Sequence, residues 1–334
     1  MRKRGPRAFD CLLAGLRGVP SPGADWQSVI ALSNHALLTP ALFAALAASG
    51  GSARLPADAR EYLVLIHELN RTRNLRLRAQ LFEAVAALNR CGITPHLVKG
   101  AVPLFLSPED RLPSRMTGDL DVRVEPTDET AARAALERIG YAAVPGVRDL
   151  ARSKDVGVVE LGPCRRGPIE QWTVVELSGR AAVIPSVQTR AWHWIAHDLL
   201  KEGDYWRGRI DLRHLHDLAE LSRNDGVNWT SLRGAVTSRR ARNALDTQLL
   251  ALQQLFGCET ISDAPATIVV RLQHWRRVFS ARHPLAGAPL RLVGNLAWGA
   301  WRLSSARDLR QRGLLDLANR AGRTLFGRDL RAKI

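Results

Sequence analysis

Leu97-Val98-Lys99-Gly100-Ala101, followed after a short gap by Arg115-Met116-Thr117-Gly118-Asp119-Leu120-Asp121-Val122-Arg123-Val124, carries the reading of this chain. The alternation of the second block predicts a strand with Asp119 and Asp121 on one side, because successive side chains point to opposite faces. Two carboxylates on one face, beside a glycine turn, can hold Mg²⁺. That hard cation takes oxygen ligands and is commonly bound through one or two carboxylates together with substrate phosphates. Upstream, Pro95-His96-Leu97-Val98 reads as a strand entering the Lys99-Gly100 turn, with an apolar helix over 100–106 after it. A glycine turn that opens a helix presents backbone N–H groups and a positive dipole end to phosphate. Strand, phosphate turn and metal-binding strand together point to transfer chemistry on a nucleoside triphosphate.

These blocks resemble the catalytic core of the DNA polymerase β-type nucleotidyltransferase superfamily. They are most similar to the bacterial group known as uncharacterised nucleotidyltransferases, with a Leu-Lys-Gly turn and an Arg-x-x-x-Asp-hydrophobic-Asp strand. Lys99-Gly100 fits the turn, Arg115 the arginine, and Asp119 and Asp121 the acids. Val122-Arg123-Val124 stands where the family has an apolar run, and Lys-Gly-Ala where the superfamily commonly has Gly-Ser. Over residues 90–220 the resemblance implies Mg²⁺-dependent transfer of a nucleoside monophosphate from an NTP, with ATP the expected donor, to a hydroxyl of an unidentified acceptor. It further implies Asp119 and Asp121 as catalytic, metal-holding acids, and Lys99, Gly100, Arg115 and Gly118 as the nucleotide-binding set.

Such a transfer must activate a hydroxyl and stabilise charge on the triphosphate, and two metal ions about 3.5–4 Å apart do both. Bridging them calls for a third carboxylate, taken to be Glu160 in Val158-Val159-Glu160-Leu161, with Glu176 in Val174-Val175-Glu176-Leu177 as the rival. The resembling family has an acid at the Glu160 place, typically ahead of a histidine, whereas here Leu161-Gly162 follows. Trp192-His193-Trp194-Ile195-Ala196-His197 puts two histidines four apart, a spacing able to bind zinc. The glutamate of the His-Glu-x-x-His protease signature is missing, which sets metalloprotease chemistry aside. Asp211, His214, His216 and Asp217 form a second polar cluster; the resemblance matches His197 and Asp217 to a recurring pair, read as hydrogen-bonded packing between helices, with a substrate-side role as the alternative.

The 334 residues carry a formal charge of +16 with 46 % hydrophobic content, enough for a substantial core and about two domains. Cys11, Cys91, Cys164 and Cys258 lack Cys-x-x-Cys spacing, which sets aside a disulfide framework or a cysteine zinc site in favour of free thiols. Pro6, Asp10 and Gly15 interrupt the N-terminal segment, and no apolar run approaches a membrane span, so a cytoplasmic protein is expected. In residues 271–334 thirteen arginines and one lysine stand against three acids, interleaved with Trp275, Phe279, Trp298 and Trp301. Such a tail suits an anionic membrane surface or nucleic acid. Lysine occurs only at 3, 99, 154, 201 and 333, which singles out the one at the phosphate turn.

Periodicity predicts a helix over 24–49 and a longer one from Pro56 to Cys91-Gly92, with Arg71, Arg73, Arg76 and Arg78 on its solvated side. A helix follows from Thr127 to Gly140, then strands at 155–161 and 171–177, then helices beyond Pro185. The expected architecture is α+β: a small mixed-sheet polymerase β-type core over 91–180, an N-terminal helical region over 1–90, and a C-terminal helical region over 181–334 ending in the basic tail. The alternative from another functional class is a non-catalytic binding or scaffold protein that kept this fold and docks through its tail. An acid facing Asp119 and Asp121 discriminates for catalysis.

Overall fold

The computed structural model describes residues 7–145, 149–167, 169–260 and 266–305. Helices α1 (Ala8–Leu16), α2 (Trp26–His35) and α3 (Thr39–Ala48) precede the 33-residue α4 (Ala57–Asn89). The motif region holds β1 (His96–Leu97), α5 (Ala101–Leu106) and β2 (Leu120–Val124). It is followed by α6 (Glu129–Arg138), β3 (Ala142–Ala143), β4 (Asp149–Ala151), β5 (Val159–Pro163), β6 (Trp172–Leu177) and β7 (Arg180–Pro185). From α7 (Val187–Ile195) onward the described chain is helical: α8 (Asp204–Arg207), α9 (Leu212–Asn224), α10 (Trp229–Ala235), α11 (Arg239–Ala251), α12 (Ile268–Arg282) and α13 (Ala288–Ser305). Two compact units result, a sheet unit of residues 14–22 and 38–193, and a helical unit of residues 7–13, 23–37 and the described residues from 194 onward.

The fold is α+β, with one mixed seven-stranded sheet in the order β3-β4-β5-β2-β1-β7-β6. β2 runs parallel to β5 and antiparallel to β1, while β1 runs parallel to β7. A parallel pair needs a crossover connection, and α6 lies in the one between β2 and β5. The Asp-Leu-Asp-Val-Arg-Val alternation divides β2 cleanly. Leu120, Val122 and Val124 are buried in one core with Leu77, Leu81 and Leu88 of α4, Phe105 of α5, Leu136 of α6, and Val159 and Leu161 of β5. Each such side chain contributes roughly 1.5–3 kcal/mol on burial. Asp119, Asp121 and Arg123 are thereby turned to the opposite face.

Helix α4 also holds polar residues on its inward side. Asn70 Nδ2 donates to the carbonyls of Pro113 (2.6 Å) and Arg115 (3.1 Å), and Asn74 Nδ2 to those of Leu112 (2.7 Å) and Arg115 (2.6 Å). Arg73 donates to the carbonyls of Thr117 and Gly118, and Gln80 Nε2 to that of Gly157 at 2.8 Å. These residues satisfy the irregular backbone just ahead of β2 and β5, where no ladder partner is at hand. The arginines expected on a solvated side therefore divide: Arg73 is half-buried structure, while Arg71 pairs with Glu68 at the surface.

The predicted helix over 24–49 is two helices. Leu37 between them is left-handed at φ 55, uncommon for a leucine. Pro40 in the first turn of α3 has no N–H with which to extend α2. β7 was not anticipated. It follows β6 through Ser178 and Gly179, both at positive φ (52 and 70), the geometry of a two-residue hairpin turn. β3 and β4 were also missed, being only two and three residues long.

Candidate active site

Asp121 lies directly across from Glu160 in the parallel β2–β5 register, so both carboxylates rise from the same face of the sheet. Asp119, just before β2, completes the group: one carboxylate oxygen from each of Asp119, Asp121 and Glu160 lies within 4.8 Å of the others. Glu176, the rival third acid, is exposed on β6, separated from β2 by β1 and β7. The structure thus brings together the first-choice set and leaves Glu176 apart. A carboxylate that sequence reasoning missed stands on the other side of Glu160. Asp149 on β4 is its antiparallel partner, and its carboxyl is pushed up by burial and then by the charges of Glu160 and Asp119. The three-residue strand that carries it left no periodic signal.

Two cations reach into this group. Lys99 Nζ lies 2.7 Å from Asp121 Oδ1 and 3.9 Å from Glu160 Oε2. Arg123 Nη2 lies 2.6 Å from Glu160 Oε1 and 3.3 Å from Asp121 Oδ1. Lys99 is itself left-handed at φ 48, a conformation that costs a non-glycine residue of order 1 kcal/mol or more. Gly100, by contrast, has ordinary helical φ −66. A larger residue there would have to displace the Arg115 side chain. A Cβ at Gly100 would sit 2.8 Å from Arg115 Nη1 and 3.0 Å from the Thr117 methyl. Arg115 lies across that gap and donates to Thr117 Oγ1 at 3.0 Å. Gly118 has nothing within 4 Å of where a side chain would start, which leaves open space beside Asp119.

The electrostatics follow from burial. Asp121 is 1 % exposed, and its carboxyl is pushed up to about 6, first by desolvation and then by Asp119 and Glu160, against the pull of Lys99. Burial also pushes Glu160 up, but the Arg123 charge and hydrogen bond, with Lys99, outweigh it and hold the carboxyl below its usual range. Arg73, lowered by burial and raised by Asp119, adds a further positive group near the outer acid. On β1, His96 faces Arg123 across the ladder. Burial, then the Arg166 charge, pushes its imidazole down, which favours the neutral form.

The histidines predicted from the helical spacing take different partners. His193 Nε2 lies 2.9 Å from Glu170 Oε1 within the sheet unit. His197, in the helical unit, sits on a π-helical turn over Ala196–Lys201 that breaks the four-residue repeat. There His197 Nδ1 and His214 Nδ1 each lie 3.0 Å from Asp198 Oδ1. His197, Asp198 and His214 form a second close group, with their ligand atoms also within 4.8 Å. Burial pushes the His214 imidazole down, but the Asp198 charge and hydrogen bond, with Asp211, bring it above its usual range. Buried Asp198, which sequence reasoning did not single out, thus lies against two imidazoles.

The donor set at the sheet is hard oxygen throughout, which suits a divalent cation of the Mg²⁺ kind. Strand-borne paired acids, a third acid in register and a lysine-bearing turn are thus brought into one group. Residues 22–155 match the profile of the family described as "Uncharacterised nucleotidyltransferase". That match takes in Lys99, Gly100, Arg115, Gly118, Asp119 and Asp121, and stops short of Glu160. No curated protein and no solved structure matches the chain. No helix among the described residues is long and apolar enough to cross a membrane.

Proposed function

We propose that this protein is a Mg²⁺-dependent nucleotidyltransferase that moves a nucleoside monophosphate from an NTP, ATP being the first donor to test, to a hydroxyl acceptor. The observation that carries the reading is the convergence of Asp119, Asp121 and Glu160 beside Lys99, in a chain whose 22–155 segment matches a nucleotidyltransferase family. Asp119 and Asp121 would hold the metal ion. When bound, that ion supplies Lewis-acid stabilisation of the phosphate charge. Lys99 serves as a point charge for the triphosphate, and Arg115, lying over Gly100, offers a planar fork suited to phosphate oxygens. Open space at Gly118 leaves the nucleotide room beside the acids.

The test is pyrophosphate release and label transfer from [α-³²P]ATP, read together with thermal melting. Mg²⁺ plus ATP should raise the melting temperature, since a ligand that binds only the folded state stabilises it by mass action. Asp119→Ala with Asp121→Ala should abolish both turnover and the shift. Lys99→Ala should weaken triphosphate binding at least about tenfold, roughly 1.4 kcal/mol. A nucleotide-dependent shift that survives the double replacement would sink the reading.

A second reading, a non-catalytic protein of the same fold docked to an anionic membrane, draws on the helical unit. Ile268, Leu272 and Trp275 on α12, and Leu292, Val293 and Leu296 on α13, are exposed large apolar residues. Exposed Arg271 and Arg302 lie on the same two helices. Residues 306–334 of the predicted basic tail lie outside the described residues. Two arginines counted with the tail are not available for docking. Arg276 donates to the carbonyls of Tyr205 and Trp206, and Arg277 is buried. Binding to phosphatidylserine vesicles should fall steeply between low and physiological salt, because surface charge interactions are screened. Salt-independent or absent binding removes this reading.

A further inference from the structure

We infer that Arg123 confines the acid cluster to a single divalent cation, held by Asp119 and Asp121, by keeping Glu160 out of ligation. The inference deepens the nucleotidyltransferase reading and rests on it. Arg123 stands two residues past Asp121 on β2 and therefore on the same face of the strand. Its guanidinium is fixed at both ends. Nη2 holds Glu160 Oε1 at 2.6 Å and Asp121 Oδ1 at 3.3 Å, while Nη1 donates to the Glu160 carbonyl at 2.8 Å. An ion bridging Asp121 and Glu160 would need the carboxylate edges this guanidinium already occupies.

The neighbouring strand is shaped for that arrangement. Gly162 is the direct register partner of Arg123. A Cβ there would lie 3.3 Å from Arg123 Nη1 and 3.8 Å from Cζ. Gly162 is not among the residues with positive φ, so its small size matters for space rather than for backbone freedom. The guanidinium lies over Gly162, where a side chain would press it aside by a few tenths of an ångström.

Charge points the same way. Three carboxylates face two side-chain cations, Lys99 and Arg123, before any metal binds. Paired metal ions in transfer sites stand about 3.5–4 Å apart. A second dication between Asp121 and Glu160 would meet the fixed positive charge of Arg123 at contact range, where like charges repel strongly in a site of low dielectric. Arg123 thus supplies a permanent positive charge in the place of a second ion. Asp119, with the Asp121 oxygen that neither Lys99 nor Arg123 holds, is left for one cation and the phosphates it carries.

The experiment is a Mn²⁺ titration of the full chain with a non-hydrolysable ATP analogue, following free Mn²⁺ by electron paramagnetic resonance. The wild type should bind one ion per chain. Arg123→Ala should bind two. Gly162→Val, which crowds the guanidinium while leaving its charge in the chain, should also move toward two. Glu160→Gln should keep one ion with affinity within about threefold of wild type, and this arm decides the matter if Arg123→Ala does not fold. Two ions in the wild type, one in both Arg123→Ala and Gly162→Val, or a tenfold loss of affinity in Glu160→Gln would each overturn the inference while leaving the nucleotidyltransferase reading standing. No bound ion in the wild type would overturn both.

Discussion

Asp121→Asn is expected to raise stability at pH 7.5 while removing metal-dependent nucleotide binding, two effects of opposite sign from one atom change. Asp121 is 1 % exposed, and its carboxyl titrates at about 6 in the folded protein against an ordinary value of 3.8. The folded state therefore binds this proton more tightly than the unfolded chain does. Between about pH 4 and pH 6 the unfolded state ionises first, so stability falls as pH rises, and above the folded value the full penalty remains. Two pKa units correspond to roughly 3 kcal/mol as an upper figure. Asparagine keeps an acceptor oxygen for Lys99 and Arg123 but cannot ionise, so a gain of about 1–3 kcal/mol is expected at pH 7.5, or several degrees in Tm. The gain should shrink toward zero as the pH drops to 4. Melts of both proteins across that range test it. A variant less stable than wild type at pH 7.5 would mean that the Lys99 and Arg123 pairs more than repay the burial of the charge.

The second large effect lies in the helical unit, at Arg277 on α12. Its side chain is fully buried, with Nε donating to the Arg209 carbonyl at 2.9 Å and Nη1 to Gln248 Oε1 at 3.0 Å. Burial pushes the guanidinium down to about 10, while Asp204 and Asp198 favour its charge. Those two acids are 0 % and 2 % exposed. Removing the guanidinium takes the donor from the Arg209 carbonyl and Gln248 Oε1 and a favourable charge from the two buried acids, a loss of about 3–5 kcal/mol. Arg277→Ala should therefore destabilise the protein by that amount, with a cavity term in addition. Arg277→Lys should recover part of the loss, since it restores the charge without the planar fork. Denaturant melts with intact metal-dependent nucleotide binding below the transition would place the damage in the helical unit. A loss under 1 kcal/mol in the alanine variant would show that Asp198 and Asp204 do not depend on Arg277.

The two variants probe parts of the chain that were unequally legible in the sequence. The alternation of Asp119 to Val124 assigned each residue of β2 its face, because a half-buried strand repeats every two residues and its partners are fixed by which side is apolar. That Asp119 and Asp121 share a face could be read from that alone; their reading as metal-holding acids also needed Lys99-Gly100 and Arg115 at their spacing. The nearness of Glu160 depends on a parallel pairing across the long 124–159 connection, which no local pattern encodes. Arg123 was visible as a departure from an apolar run, but its role required knowing that Gly162 lies opposite. Of the polar residues of α4 at 70, 73, 74 and 80, only Arg73 was given a side, the solvated one, because it stands in a run of arginines. Their partners are loop carbonyls far along the chain, and sequence periodicity carries no trace of those. Arg276 and Arg277 were masked by the abundance of arginine around them, since composition does not distinguish a buried guanidinium from a surface one.

Helix α4 acts as a ruler for the site. Asn70, Arg73, Asn74 and Gln80 fix the backbone ahead of both acid-bearing strands from one rigid rod. Each residue of an α-helix advances about 100° around the axis and 1.5 Å along it. A single insertion between Asn74 and Gln80 would swing one set of donors about 100° away from the other, so β2 and β5 could no longer both be held and Asp121 would lose its register with Glu160. An insertion in this helix is thus expected to be tolerated only in the turns outside residues 70–80, and thermal melts of insertion variants on either side of that span would test it.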